Sequence, residues 1–321
     1  MSTNTNMSLI PADSPALPSD PILRRVLAAL ERNREPGYHF PGNFLQLSFD
    51  RVTREDSRTS VAVGPHCTGA DGRADTATIA VLADLAMAAC VRAEVLRDVR
   101  LATVNMHLQL FTAPHAASID AVSRFEDMVA GRQGVASVAM RSAGGLVGLG
   151  SAAFMVLDLP EGSRVPPMRP AVLAEPAMLP DPRDGLDAVE QAIYRRAEAA
   201  LAEPSVEGGF VRRFWGIETR KSETGATGTM AAGPHVGNRV GHVQGGLLVG
   251  FAEETARAAL AEGDWAPTSI SSTFLRPGEP PAVRGEAQVV HQGRSTAVVA
   301  VKLFNPDGRQ ALQAMLTYAT R

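Results

Sequence analysis

Apolar and polar positions carry the chain twice through one pattern. Each pass opens with an amphipathic helix, Pro21 to Glu35 and then Gly185 to Glu203. In the first, Ile22, Val26, Leu27 and Leu30 recur at helical spacing. Two strand-like segments follow, Phe44 to Val52 with Thr59 to Val63, and Arg213 to Arg220 with Ala226 to Ala231. Next comes an alanine-rich helix, Thr76 to Val95 and Gly245 to Glu262. Four β-like segments close each pass. They lie at Ala102–Leu110, Ala117–Phe125, Gln133–Arg141 and Leu146–Leu157, then at Thr268–Leu275, Ala282–His291, Ser295–Phe304 and Ala311–Tyr318. Turn signals such as Asn305-Pro306-Asp307-Gly308 separate them.

The repetition extends to single residues. Val63-Gly64-Pro65-His66 returns as Ala232-Gly233-Pro234-His235, an offset of 233 − 64 = 169. At that offset Gly72 meets Gly241 and Asp84 meets Glu253. The central helix is apolar nearly all round, with Ile79, Val81, Leu82, Leu85, Ala86, Met87 and Ala88, so it needs burial on most faces. A curved antiparallel sheet wrapped around it would supply that burial, giving an α+β fold.

The division expected is a disordered tail over 1–20, an N-terminal domain over 21–158, a proline-rich linker over 159–187 and a C-terminal domain over 188–321. Composition narrows the function classes. A formal net charge of −3 and the lack of a basic run with interleaved aromatics argue against nucleic acid as a partner. Cys67 and Cys90 make no disulfide framework, which fits a reducing, cytoplasmic location. The first residues lack the basic and apolar regions of a secretory signal. No stretch of about 20 apolar residues stands out, so no membrane span is expected. No His or Cys pair has a zinc spacing, so no metal is expected either.

The second pass carries Asn238-Arg239-Val240-Gly241-His242-Val243-Gln244-Gly245-Gly246-Leu247, then Glu253, and later Ser272-Thr273-Phe274-Leu275-Arg276-Pro277. The first carries Thr78-Ile79-Ala80-Val81-Leu82-Ala83-Asp84. At these residues the chain resembles the hotdog superfamily, and within it the phenylacetate-pathway-type thioesterases. The resemblance covers residues 38–158 and 209–320. It implies a tandem, or double, hotdog, each unit an antiparallel curved sheet around a long central helix. It also implies an acyl-CoA thioesterase of lipid metabolism that needs no cofactor, CoA being part of the substrate. The family pattern has His where this chain has Gln244. The first pass departs further, with Asp75-Thr76-Ala77 where the second has Gln244-Gly245-Gly246, and Gly69 where it has Asn238.

Thioester hydrolysis needs a polarised carbonyl and a base or nucleophile. The N-terminus of a helix at Gly245 and Gly246 offers backbone N–H groups and positive potential for an oxyanion hole. Gln244 and Asn238 add side-chain donors. Residues 244 and 253 stand about 13.5 Å apart on one helix, too far for Glu253 to serve its own N-terminus. The resemblance implies a two-fold arrangement in which each half lends its acid to the other. One site would then join Asn238, Gln244, Gly245 and Gly246 to Asp84, the expected general base or nucleophile. The other would join Asp75, Thr76 and Ala77 to Glu253. Thr103 aligns with a family hydroxyl that positions the attacking water, with Thr268 as its approximate counterpart. His242 is placed among the substrate contacts with Gly246, Thr268 and Asp75.

Plainer readings compete. Asp84 could be a buried capping or pairing group, and Glu253 with Glu254 a solvated face. Gly245-Gly246 could be turn chemistry alone. His66 and His235, being symmetric, suggest a shared structural role, and Cys90 suggests core packing. Arg276, Arg284 and Arg294 fit either CoA phosphates or a solvated surface. An acyl pocket between the two helices would be lined by Leu82, Met87, Leu248 and Phe251. The main alternative function is a non-catalytic acyl-CoA-binding or sensor protein of the same fold. A dehydratase would need Asp and His in one loop, and only Asp75 and His66 lie in that region. The resemblance also leaves a homodimer of the fused chain open.

Overall fold

The computed structural model describes residues 18, 20–35, 39–95, 97–111, 117–159, 185–202 and 209–320. The first half runs α1 (Pro21–Asn33), α2 (Phe40–Phe44), β1 (Ser48–Val52), β2 (Asp56–Ala62), α3 (Thr76–Val95), β3 (Val99–Leu110), β4 (Ser118–Val129), β5 (Gln133–Ser142) and β6 (Gly145–Asp158). The second repeats it as α4 (Ala188–Ala202), α5 (Gly209–Trp215), β7 (Ile217–Ser222), β8 (Gly225–Ala231), a 3-10 turn at Pro234–Val236, α6 (Gly245–Ala259), β9 (Trp265–Phe274), β10 (Ala282–Gln292), β11 (Thr296–Phe304) and β12 (Gln310–Thr320).

The strands form one 12-stranded sheet in the order β1-β2-β4-β5-β6-β3-β9-β12-β11-β10-β8-β7. The halves meet at its centre, where β3 and β9 pair antiparallel with His107 opposite Ser271. Along β3 and β9, Met106, Leu108, Ile270 and Ser272 turn inward, alternating with exposed neighbours. The inward face closes over α3 and α6. Thirteen residues of α3 are buried, from Ala77 to Val91, because it is apolar around its whole circumference and the sheet encloses it.

The two long helices cross closely. A side chain at Gly246 would begin 2.3 Å from the backbone nitrogen of Val81, and one at Gly250 would begin 2.6 Å from Cα of Ala77. Only glycine allows such an approach. The two contacts fix an antiparallel register, since stepping up α6 from 246 to 250 steps down α3 from 81 to 77. Continued outward, that register brings Asp84 to the start of α6 and Glu253 to the start of α3.

A second layer lies on the short helices. Phe40 and Phe44 of α2 meet Phe210, Phe214 and Trp215 of α5, with Phe44 and Phe214 centred 4.9 Å apart. Phe44 stacks edge-on to His66 at 5.8 Å and Phe214 to His235 at 6.3 Å. The two histidines are thus symmetric members of one aromatic cluster between the halves. Burial holds both neutral, with pKa values pushed down to about 3.

Several expectations are corrected here. Phe44 and Arg213 were to open strands, but each lies in or at the end of a short helix, and the strands begin at Ser48 and Ile217. Helices of five and seven residues are too short to show a readable period. The 20-residue helix Thr76–Val95 is, by length and composition, apolar enough to cross a membrane, at mean hydropathy 1.6 over an 18-residue window. It was not expected to be, but Asp84 and Arg92 barely lower the average; 72% of its apolar window is buried inside the fold. Most of the tail over 1–20 and of the linker over 159–187 lies outside the described residues.

Candidate active site

Asp84 sits on the stripe of α3 that faces α6, at 6% relative exposure. Its two oxygens are held from opposite sides. Thr103 Oγ1 of β3 donates to Oδ1 at 2.9 Å, and Gln244 Nε2 of the other half donates to Oδ2 at 2.8 Å. Burial pushes the Asp84 pKa up to about 6, against the pull of the Thr103 and Gln244 hydrogen bonds, which favour the charged form.

Gln244 is the N-cap of α6. Its Oε1 accepts from Leu247 N at 3.1 Å while its Nε2 reaches Asp84. The capping bond therefore orients the amide so that its donor end faces the carboxylate. The next residue, Gly245, is half-buried, and its lack of a side chain lets the helix start close on the carboxylate. A Cβ there would stand 3.1 Å from Asp84 Oδ2 and 3.5 Å from the Phe274 ring. Among the described residues, no hydrogen bond engages the N–H groups of Gly245 and Gly246. A carboxylate, an open glycine and the positive end of a 15-residue helix thus share one spot.

The pseudo-symmetric spot is built differently. Asp75 caps α3, its Oδ1 accepting from Thr78 N at 2.8 Å. Across from it Glu253 is only 2% exposed and bound to Arg257 of its own helix at 2.6 Å. The Tyr318 hydroxyl lies 3.4 Å from the same Glu253 oxygen. Burial pushes the Asp75 pKa up to about 6, helped by the charge of Glu253. Glu254, beside Glu253 and 3.5 Å from Arg212, is also pushed up by burial and by its neighbour's charge. Here one carboxylate faces another, and the acid that corresponds to Asp84 is already paired with a cation.

Residues 234–320 match the family model of the acyl-CoA thioesterase N-terminal domain. A TesB protein from Mycobacterium avium subsp. paratuberculosis superposes with a TM-score of 0.52 at 15% identity, over 85% of this chain and 95% of that one. A conserved Alicyclobacillus acidocaldarius protein described as having the hot dog fold gives 0.52 at 12% identity, over 86% and 95%. The 12:0-ACP thioesterase from Umbellularia californica gives 0.52 at 12% identity, over 83% and 94%. No curated protein matches the chain by sequence. With 94–95% of such chains matched and two central helices enclosed by one sheet, the fold is decided. The chain is a double hotdog.

Within the double hotdog, Asp84, Thr103, Gln244 and Gly245 come together, and the other expected residues do not join them. Asn238 uses its side-chain oxygen to accept from Val240 N and His242 N at 3.0 and 3.1 Å, which shapes the loop before α6. It makes no bond to Asp84. His242 closes that same loop through its backbone, receiving the Asn238 N–H at 2.6 Å. Gly246 turns toward α3 and serves the helix crossing rather than a ligand. Thr268 spends its hydroxyl on the Thr317 carbonyl at 3.2 Å. Leu82, Met87, Leu248 and Phe251 are packed core at 2% exposure or less. Arg276, Arg284 and Arg294 are exposed. Among the described residues, no group of three His, Cys, Asp or Glu could hold a metal ion.

Two features escaped the sequence. Arg257 neutralises Glu253 from one helical turn away, a spacing that was legible as an i,i+4 pair. Phe274, on β9, reaches the Gly245 side only because β9 lies at the sheet centre, and no local pattern signals that.

Proposed function

We propose that this double hotdog hydrolyses acyl-CoA thioesters at one site per chain, assembled from Asp84 and Thr103 of the first half and Gln244 and Gly245 of the second. The observation that carries the proposal is the 2.8 Å hydrogen bond from Gln244 to Asp84, which joins an acid of one half to the helix start of the other. The thioester oxygen would point at the Gly245 N–H and the positive end of α6, where developing negative charge is stabilised. With no Cβ at 245, nothing of that residue's side chain shields the helix N–H groups from an approaching carbonyl. Asp84 then either takes a proton from a water held with Thr103 as that water adds to the carbonyl, or attacks the carbonyl itself, expelling the thiolate to leave an acyl-Asp84 anhydride that water hydrolyses to the free acid and the regenerated carboxylate. In both versions CoA leaves as its thiol, so neither a metal nor a cofactor is required.

A non-catalytic acyl-CoA binder with this fold would not need a costly carboxylate beside the open glycine. Keeping Asp84 buried favours the hydrolytic reading. Release of free thiol from a panel of short, long and aromatic acyl-CoAs tests it. We expect turnover on part of the panel and at least a roughly hundredfold loss in Asp84→Ala. Tight binding across the panel without thiol release would select the binder instead.

A further inference from the structure

Past Asp84, the stripe of α3 that faces α6 continues through Ala88 to Arg92, at one residue per turn. Because α6 begins opposite Asp84, it covers Ala77 and Val81 but does not reach Ala88 and Arg92, which are half-buried. Arg92 Nε and Nη1 are shielded from solvent and have no hydrogen-bond partner. Asp98 lies near enough to act on Arg92 through its charge, but no ion pair within 4.0 Å joins them. Glu94, the other acid on this part of α3, is bound to Arg54 at 2.8 Å. A buried guanidinium with unmade hydrogen bonds is costly, so it calls for a partner.

The second half shows what the same stripe looks like when closed. Glu253, Arg257 and Ala261 stand where the first half has Asp84, Ala88 and Arg92. There the cation sits one turn from the acid and pairs with it at 2.6 Å. In the first half an alanine takes the near position and the cation stands a turn further on. On that stripe only the small, half-buried side chain of Ala88 stands between an acid and a guanidinium whose Nε and Nη1 lack partners. The two Cα atoms are about 12 Å apart along the helix, and long helical side chains lean back toward the N-terminus, so the guanidinium stands closer to the acid than that.

We propose that Arg92 binds a carboxylate at the far end of the acyl chain, so that the site prefers thioesters of short dicarboxylic acids. This rests on the hydrolytic reading of Asp84. A guanidinium holds a carboxylate through two parallel charged hydrogen bonds. CoA also carries anions, its phosphates, but these are strongly hydrated groups that suit exposed arginines better than a shielded one.

The test compares adipyl-CoA with hexanoyl-CoA, acyl chains of equal length that differ in the terminal carboxylate, in the wild-type chain and in Arg92→Met, which keeps an apolar stem. The wild type should favour adipyl-CoA in kcat/KM. Arg92→Met should lose roughly 10- to 100-fold on adipyl-CoA and change little on hexanoyl-CoA. An unchanged ratio of the two substrates overturns the proposal. An equal loss on both CoA esters, absent with the N-acetylcysteamine ester of hexanoate, would move Arg92 to the CoA phosphates and also overturn it. If neither ester nor any other acyl-CoA of the panel is cleaved, the hydrolytic reading fails. The calorimetric affinity ratio of adipyl-CoA to hexanoyl-CoA, in wild type and variant, then decides the role of Arg92 separately.

Discussion

Asp84 is a residue kept at a cost. Its pKa is moved from 3.8 to about 6 by burial. Between those values the folded chain holds a proton that the unfolded chain releases. The contribution of this carboxyl to stability is therefore complete below pH 3.8 and lost as pH rises through about 6, a difference on the order of 3 kcal/mol. Asparagine can keep both contacts, accepting from Gln244 and donating to Thr103 Oγ1. Asp84→Asn should therefore raise the melting temperature at pH 7 while abolishing thiol release; thermal unfolding beside an activity assay checks both. Thr103 acts on the charged form of Asp84. In Thr103→Val one of the two bonds favouring ionisation is gone, so the rising limb of kcat/KM against pH, expected near 6, should move to higher pH. A pH profile that drops in height but does not shift would mean that Thr103 acts elsewhere.

Among the elements, α3 and α6 carry the site and the short helices carry the join between halves. The bounds of α3 and the start of α6 were legible because each combines a long apolar run with a polar or glycine stop. Helix length showed that an acid nine residues along cannot serve its own N-terminus, and the partnership of Asp84 with Gly245 was legible only through the two-fold arrangement that the family resemblance implies. The close crossing was not, because Gly246 and Gly250 look like loop or ligand glycines until α3 is laid against them. Nor were α2 and α5, whose aromatic runs resemble strand starts when no partner is in view. Asn238 and Thr268 matched a pattern in sequence, yet backbone groups claim them, those of its own loop for Asn238 and the Thr317 carbonyl of the neighbouring β12 for Thr268. Gly250→Val should lower the chemical denaturation midpoint by an amount equivalent to at least ~1–3 kcal/mol, because the added Cβ falls on the backbone of Ala77. A wild-type midpoint would contradict the crossing described.

At the scale of the whole molecule, duplication within one chain has let the halves diverge. A two-fold pair of identical units must keep two identical sites. In this chain the first half retains a free acid and the second retains an open helix start, and the complementary set has become an ion pair of Glu253 with Arg257 facing the Asp75 cap. The continuous sheet through β3 and β9 keeps the halves in register, and hydrolysis is proposed at the Asp84 set alone. The account stands most directly on thiol release by Asp84→Asn and Glu253→Gln measured side by side on the best acyl-CoA. Asp84→Asn should be inactive and Glu253→Gln close to wild type in kcat. Wild-type turnover in Asp84→Asn, or a loss confined to Glu253→Gln, would contradict it.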